Sequence, residues 1–249
     1  GLRKKLLNLP DVHIYDLYTP LVPSVENDIA YDEATKDLLS ALKPLGEEYL
    51  KVLTTAILPE SRWVDVYPNK GKESGAFSSS VWGVHPFVKL NFMNNIDDAS
   101  TLAHEFGHAM HSYLNAKAQP FVTYGYSTLG AEIASTTNEM LLSKYLLDKY
   151  KNDDKMRLYL LGEQVETIRT TIFRQTLFAE FEKKIHELVE KKEPLTAALF
   201  NKTYIDLVKK YYGPDFKIGE NDDIEWAYIP HFYWKFYVYS YAAGLASGI

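Results

Sequence analysis

With 249 residues, 46% of them hydrophobic and 24% charged, the chain has the composition of a folded globular protein and not of a disordered one. Its 33 acidic and 27 basic residues leave a net charge of -6, which argues against a broad basic footprint for nucleic acid. The absence of cysteine excludes a disulfide scaffold, a cysteine zinc site and a thiol nucleophile; it is compatible with a reducing compartment, and a cytoplasmic location is expected.

The basic start Gly1-Leu2-Arg3-Lys4-Lys5 is not followed by an apolar run of signal-peptide length, and nowhere is there an apolar stretch of membrane-spanning length. The segment to Asn27, rich in Pro, Tyr and Leu, predicts extended chain and turns. A helix is expected over about 32–58, closed by Pro59, and a short strand over Trp63 to Tyr67. Gly71 to Gly75 reads as a turn, and Val81 to Phe92 as a second strand-like run interrupted by Gly83 and Pro86. Asp97 is the expected N-cap of a helix to about Leu114, followed by a loop to Thr128. Further helices are expected over about 130–150, 154–191, 196–212 and 230–246. In the longest of these, Leu158, Leu161, Val165, Ile168, Ile172 and Leu177 are the expected core positions. No repeat or linker divides the sequence. The fold class expected is one mainly α catalytic domain over residues 1–249, with a small β element. The missing initiator Met and the end at Gly248-Ile249 point to a fragment of a longer protein.

The sharpest signal is His104-Glu105-Phe106-Gly107-His108, an HExxH pattern within an expected helix. Four residues advance a helix by about 400°, so both imidazoles leave from nearly one line and can converge on one zinc ion. Glu105 lies beside that line, where it can act as general base toward a zinc-activated water. A catalytic zinc needs a third protein ligand. His111 returns to the His104 face, but it lies roughly 10 Å along the axis, too far to share a metal with both histidines. The metzincin pattern also fails, since position 114 is Leu. The next helix offers Glu132 and Glu139, seven residues apart on one face; spacing alone does not choose between them.

The run His104 to His111, then Ala131-Glu132-Ile133-Ala134-Ser135 and Asn138-Glu139-Met140, resembles oligoendopeptidase F, a branch of the thimet oligopeptidase family of zinc peptidases. That resemblance, from about Val64 to the C-terminus, implies a zincin-like helical fold with the β element beside the HExxH helix. It implies His104, His108 and Glu132 as ligands of one zinc per chain, and Glu139 as a carboxylate orienting a ligand histidine. The family's N-terminal helical portion has no counterpart here, in line with the fragment expected above.

Lys72 to Ser78 and Val84 to Phe92 are similar to the family's glycine turn and active-site edge strand, which makes Gly75, Ala76 and His85 candidate substrate-binding residues. An exposed strand edge can pair with an extended peptide without much side-chain selectivity. Trp226 to Tyr241 holds nine aromatic residues in sixteen, with Tyr233, Tyr237 and Tyr241 in one stripe if the helix is continuous. Such stripes are usually core. In the family, a His and tyrosines of this region close over the substrate and stabilise the oxyanion, which implies His231 and Tyr241 as catalytic groups. The spacing back to His231 is shorter than in thimet oligopeptidase itself, so Tyr237 and Tyr239 stand beside Tyr241 as candidates. The function expected is a zinc metalloendopeptidase acting on short peptides. Two alternatives stand beside it: a carboxypeptidase or dipeptidase on a related fold, and a non-catalytic zinc-bearing helical module. Neither nucleic acid nor membrane is an expected partner.

Overall fold

The computed structural model describes residues 1–22, 25 and 28–249. Pro23, Ser24, Glu26 and Asn27, the end of the expected extended segment, lie outside the described residues. In chain order the elements are α1 (Leu2–Leu6), α2 (Tyr31–Ala41), α3 (Glu47–Ala56), β1 (Val64–Asp65), β2 (Phe77–Ser79), β3 (Phe87–Lys89), α4 (Ile96–Ala118), α5 (Thr128–Lys149), α6 (Asp154–Thr167), α7 (Arg174–Glu190), α8 (Ala197–Tyr212) and α9 (Tyr239–Gly248). Short 3₁₀ turns join several of them, and a π-helical stretch, Ile168–Phe173, runs from α6 into α7. The fold is mainly helical with a small sheet, as expected. No described helix is long and apolar enough to cross a membrane.

The chain divides into two compact units, one formed by Gly1–Ser24 with Leu161–Ala242 and the other by Val25–Leu160 with Ala243–Ile249. In the second unit the core gathers Leu38 and Leu42 of α2, Leu53 of α3, Val88 of β3, Leu102, Phe106 and Met110 of α4, and Leu142 and Leu146 of α5. The sheet has the order β1-β3-β2. β1 runs parallel to β3, with Val64 opposite Val88, and β2 antiparallel to it, with Ser78 opposite Val88. The outer edge of β2 has no strand partner among the described residues. Both β2 and β3 touch α4, which places the β element beside the HExxH helix.

In the first unit Leu177, Phe178 and Phe181 of α7 pack against Tyr204, Leu207 and Val208 of α8, with Val12, Leu17, Phe216 and Val238 closing the cluster. At its polar centre the buried Glu225 carboxylate pairs with Arg174 and accepts from the Tyr204 hydroxyl at 2.5 Å. Losing the carboxylate would leave a part-buried guanidinium unpaired, a change of the kind that costs about 3–5 kcal/mol.

Several boundaries differ from expectation, each for a local reason. The expected helix over 32–58 is two helices, because Pro44 sits in a 3₁₀ turn, Lys43–Leu45, and Gly46 adopts φ +93°. Extended chain and turns were expected before Asn27; a 3₁₀ turn forms at Ile14–Tyr18, but α1 is a helix that was not expected. Asn95, not Asp97, caps α4: its side chain accepts from the Asp98 amide at 2.9 Å while Asp98 reaches back to the Asn95 amide at 3.4 Å. The helix then continues to Ala118, beyond the expected Leu114. The run expected as the edge strand contributes only Phe87–Lys89, and as β3 it is the central strand, paired on both sides; the edge belongs instead to β2, formed by Phe77–Ser79 ahead of that run.

Of the expected core positions 158–177, Leu177 is buried, whereas Leu158, Leu161, Val165 and Ile168 are exposed. Helix α6 carries apolar residues around most of its circumference, so periodicity does not say which side turns inward; Met156, Tyr159 and Leu160 do. The π stretch then adds a residue to each hydrogen-bonded ring and shifts the phase before α7. The last expected helix, 230–246, is broken: Pro230–Tyr233 is a 3₁₀ turn, Phe236 sits at φ +59°, and α9 starts at Tyr239. The aromatic stripe is therefore not one face of a helix, and Tyr233 is 74% exposed.

Candidate metal centre

Helix α4 buries Leu102, Ala103, Phe106 and Met110, and this apolar face holds the helix while the neighbouring face presents His104 and His108. The partner helix α5 is unusual in burying polar residues: Glu132, Ser135, Thr136 and Asn138. The two helices run antiparallel and touch at the backbone. A Cβ on Gly107 would lie 2.5 Å from the Ser135 Cα, so only glycine permits this approach. From the other side Gly244 of α9 closes on Glu132, where a Cβ would sit 2.7 Å from the Glu132 Cβ.

That packing brings three donor atoms together. The Nε2 atoms of His104 and His108 lie 3.1 Å apart, and Glu132 Oε2 lies 3.4 Å from each. Among the described residues these three form the one group of His, Asp and Glu side chains with the proximity a metal ion requires. Tetrahedral zinc bonds of 2.0–2.1 Å imply separations of roughly 3.3 Å between ligand atoms, so the triangle fits such an ion with one position left open. Glu132 is only 1% exposed, and the Ser135 hydroxyl donates to its Oε2 at 3.0 Å. On the far side of the His104 ring, Nδ1 is hydrogen-bonded to Glu139 Oε1. This fixes Nδ1–H as the donor and leaves Nε2 free to face the cluster.

Burial alone would lower the His104 pKa, but the hydrogen bond to Glu139 and the charges of Glu139, Glu105 and Glu132 outweigh it and hold it above its ordinary value. Burial pushes the Glu105 carboxyl up, against the pull of His104 and His108. Glu105 is 7% exposed, and its Oε2 is buried without a hydrogen-bond partner. An orphaned carboxylate oxygen beside three converging donors fits a site built for a cation and a polar reactant.

His111 lies outside this group; its ring stacks on Tyr126 with centroids 4.1 Å apart. Gly75 takes φ +79° in the turn before β2, where Asn91 Nδ2 donates to the Gly75 and Glu73 carbonyls, both at 2.8 Å. Ala76 packs beside the core at the start of β2. His85 Nδ1 pairs with its neighbour's carbonyl, Pro86 O, at 2.8 Å, and the ring stacks on Trp63. In the other unit His231 Nε2 lies 3.1 Å from the Tyr241 hydroxyl, and Tyr237 packs its ring against both. Tyr239 is exposed at the start of α9. Sequence reasoning overlooked Ser135, Asn138, Gly107 and Gly244. Their signal was available in outline: small and polar residues clustered where a helix should carry an apolar stripe.

The whole chain, residues 1–249, matches the model of peptidase family M3. It is 50% identical over 247 residues to the oligopeptidase PepF of Bacillus subtilis, covering 99% of this chain and 36% of that protein. It is 44% identical over 246 residues to the chromosomal oligoendopeptidase F of Lactococcus lactis subsp. cremoris, covering 99% of this chain and 40% of the relative. The chain thus spans about two fifths of the length of these relatives. The crystal structure of oligoendopeptidase-F from Enterococcus faecium superposes with a TM-score of 0.67 at 34% identity, over 99% of this chain and 36% of that one. A match along its full length, with a helical fold shared with a solved member, identifies the chain as a member of peptidase family M3.

Proposed function

We propose that the chain carries the catalytic centre of a zinc-dependent oligopeptidase that cleaves short peptides internally. The observation that carries this reading is the triangle of His104 Nε2, His108 Nε2 and Glu132 Oε2, with the unpartnered Glu105 oxygen beside it. His104, His108 and Glu132 would hold one zinc ion, and Glu139 would keep the His104 ring in the orientation and tautomer that ligation needs. When bound, zinc lowers the pKa of a water molecule toward neutrality and polarises a peptide carbonyl.

The remaining work falls to the protein. Glu105 accepts the proton released as water attacks the carbonyl and can return it to the leaving amine. A carboxyl raised by burial suits both halves of that exchange, since its affinity for the proton lies closer to working pH. An extended peptide pairs with the outer edge of β2, with Gly75 and Ala76 leading into that edge and His85, whose ring stacks on Trp63, as a further substrate contact. His231 and Tyr241 donate hydrogen bonds to the developing oxyanion, with Tyr237 and Tyr239 as substrate contacts. That assignment rests on their resemblance in sequence and on the pairing of His231 with Tyr241.

The test joins metal content to product analysis in the full natural chain. About one zinc per chain is expected, with hydrolysis of an internally quenched, end-blocked peptide at an interior bond. Glu132→Gln should lose most of the metal. Release of terminal residues alone would favour an exopeptidase, and absence of both zinc and hydrolysis would overturn the reading.

A further inference from the structure

Asn138 is 1% exposed, on the helix face that meets α4. Its Nδ2 donates to the Ala103 carbonyl at 3.1 Å and approaches the Tyr49 hydroxyl at 3.2 Å, while Oδ1 lies 3.4 Å from the same hydroxyl. Ala103 immediately precedes His104, and Asn138 immediately precedes Glu139. The bond therefore ties together the backbone neighbours of a pair that is itself hydrogen-bonded. One turn further along α4, Gly107 meets Ser135 at van der Waals closeness. The rungs Ala103–Asn138 and Gly107–Ser135 run alongside the contacts of His104 with Glu139 and of His108 with Glu132.

The chemistry of the residue is informative. Thr136 and Thr137 direct their hydroxyls to carbonyls of their own helix, at Glu132 and Ile133. Asn138 instead crosses to the backbone of α4 and, through Tyr49, to α3. An amide has two N–H donors and can serve both; leucine has nearly the same volume and could serve neither. Register matters here because a one-residue slip moves a helix by about 1.5 Å and rotates it by about 100°. Metal–ligand distances tolerate only about 0.2 Å.

We propose that Asn138 is a positioning residue of the metal centre, locking α5 to α4 in the register that carries Glu132 and Glu139 to the two histidines. This rests on the metal-binding reading above.

The experiment uses the full natural chain and the variants Asn138→Leu and Tyr49→Phe. Zinc affinity is read by competition with a chromophoric chelator, ligand geometry from the visible spectrum of the Co(II)-substituted protein, and folding from melting of the metal-free protein. Asn138→Leu should fold and weaken zinc binding by about tenfold or more, the scale of losses around metal ligands, with a changed Co(II) spectrum. Tyr49→Phe should shift both readouts in the same direction by less. Zinc affinity within twofold of wild type and an unchanged Co(II) spectrum for Asn138→Leu would overturn the proposal even if the protein melts earlier, since the residue would then serve packing alone. If Asn138→Leu does not fold, Tyr49→Phe decides by the same two readouts, and unchanged values overturn it. A wild-type protein that binds neither metal would instead remove the metal-centre reading itself.

Discussion

Glu105 and Glu132 are both buried carboxylates within one cluster, yet their surroundings differ in kind. Glu132 Oε2 accepts from Ser135 and faces both imidazoles, whereas Glu105 Oε2 has no hydrogen-bond partner. The first environment suits a ligand, the second a base. Glu105→Gln keeps the shape but cannot take a proton, so it should retain zinc while hydrolysis falls by about 10²–10⁴-fold or more. Metal analysis and single-turnover kinetics on the same sample check this, and wild-type turnover would exclude Glu105 as the base. For His231 and Tyr241 the expectation concerns kcat. A donor to the oxyanion acts chiefly in the transition state, so His231→Ala and Tyr241→Phe should each lower kcat by roughly 100- to 1,000-fold, with KM and zinc content little changed. A normal kcat for Tyr241→Phe would move the role to Tyr237 or Tyr239.

At the scale of elements, the α4–α5 pair depends on the absence of a side chain at Gly107. Adding one methyl places it 2.5 Å from the Ser135 Cα and 2.8 Å from the Ala134 carbonyl, both backbone atoms that cannot swing away. Gly107→Ala should destabilise the metal-free protein by about 1–3 kcal/mol or more, with weaker zinc binding. Gly130, on α5, is the matching control: an added Cβ there meets only the Ser127 hydroxyl at 3.8 Å. Gly130→Ala should be neutral or stabilise by about 0.4–1 kcal/mol through helix propensity and reduced freedom of the unfolded chain. Thermal melts of the two variants side by side check the contrast. Equal melting temperatures would mean that the helices can separate without cost.

Across the whole molecule, stability should depend on pH through a buried carboxyl outside the candidate metal centre. Glu182 of α7 is buried and accepts the Phe236 amide at 2.5 Å, pinning the chain where it turns through φ +59° before α9. Burial pushes its carboxyl above the ordinary value, although the Phe236 amide and His186 pull it down. A folded pKa above the unfolded one means that the fold favours the protonated form. That contribution is fully present below the unfolded pKa, near 4.5, and is lost as pH rises through the folded value. Gln imitates the protonated carboxyl. The melting temperature of Glu182→Gln minus that of wild type should therefore be more positive at about pH 8 than at about pH 4. An equal difference at both would show that Glu182 is not linked to folding.

Local periodicity was enough to establish a mainly helical chain, the existence of α4, α5, α7 and α8, and the projection of His104 and His108 from one line. Each follows from the helix repeat and from punctuation such as Thr196 and Gly213, which act on neighbouring residues. Where the sequence carries two answers at once, tertiary structure decided. Glu132 and Glu139 share a helical face, and only the approach of α5 to α4 places Glu132 Oε2 3.4 Å from both Nε2 atoms and Glu139 behind His104. Apolar residues surround α6, and packing alone selected Met156, Tyr159 and Leu160 as its inner side. The aromatic run after Trp226 has helical spacing, yet Phe236 at positive φ breaks it because the chain there is held by Glu182, a residue 54 positions earlier. Contacts between residues far apart in sequence leave no trace in a periodic pattern, and Gly107 against Ser135, Asn138 against Ala103 and Gly244 against Glu132 are such contacts.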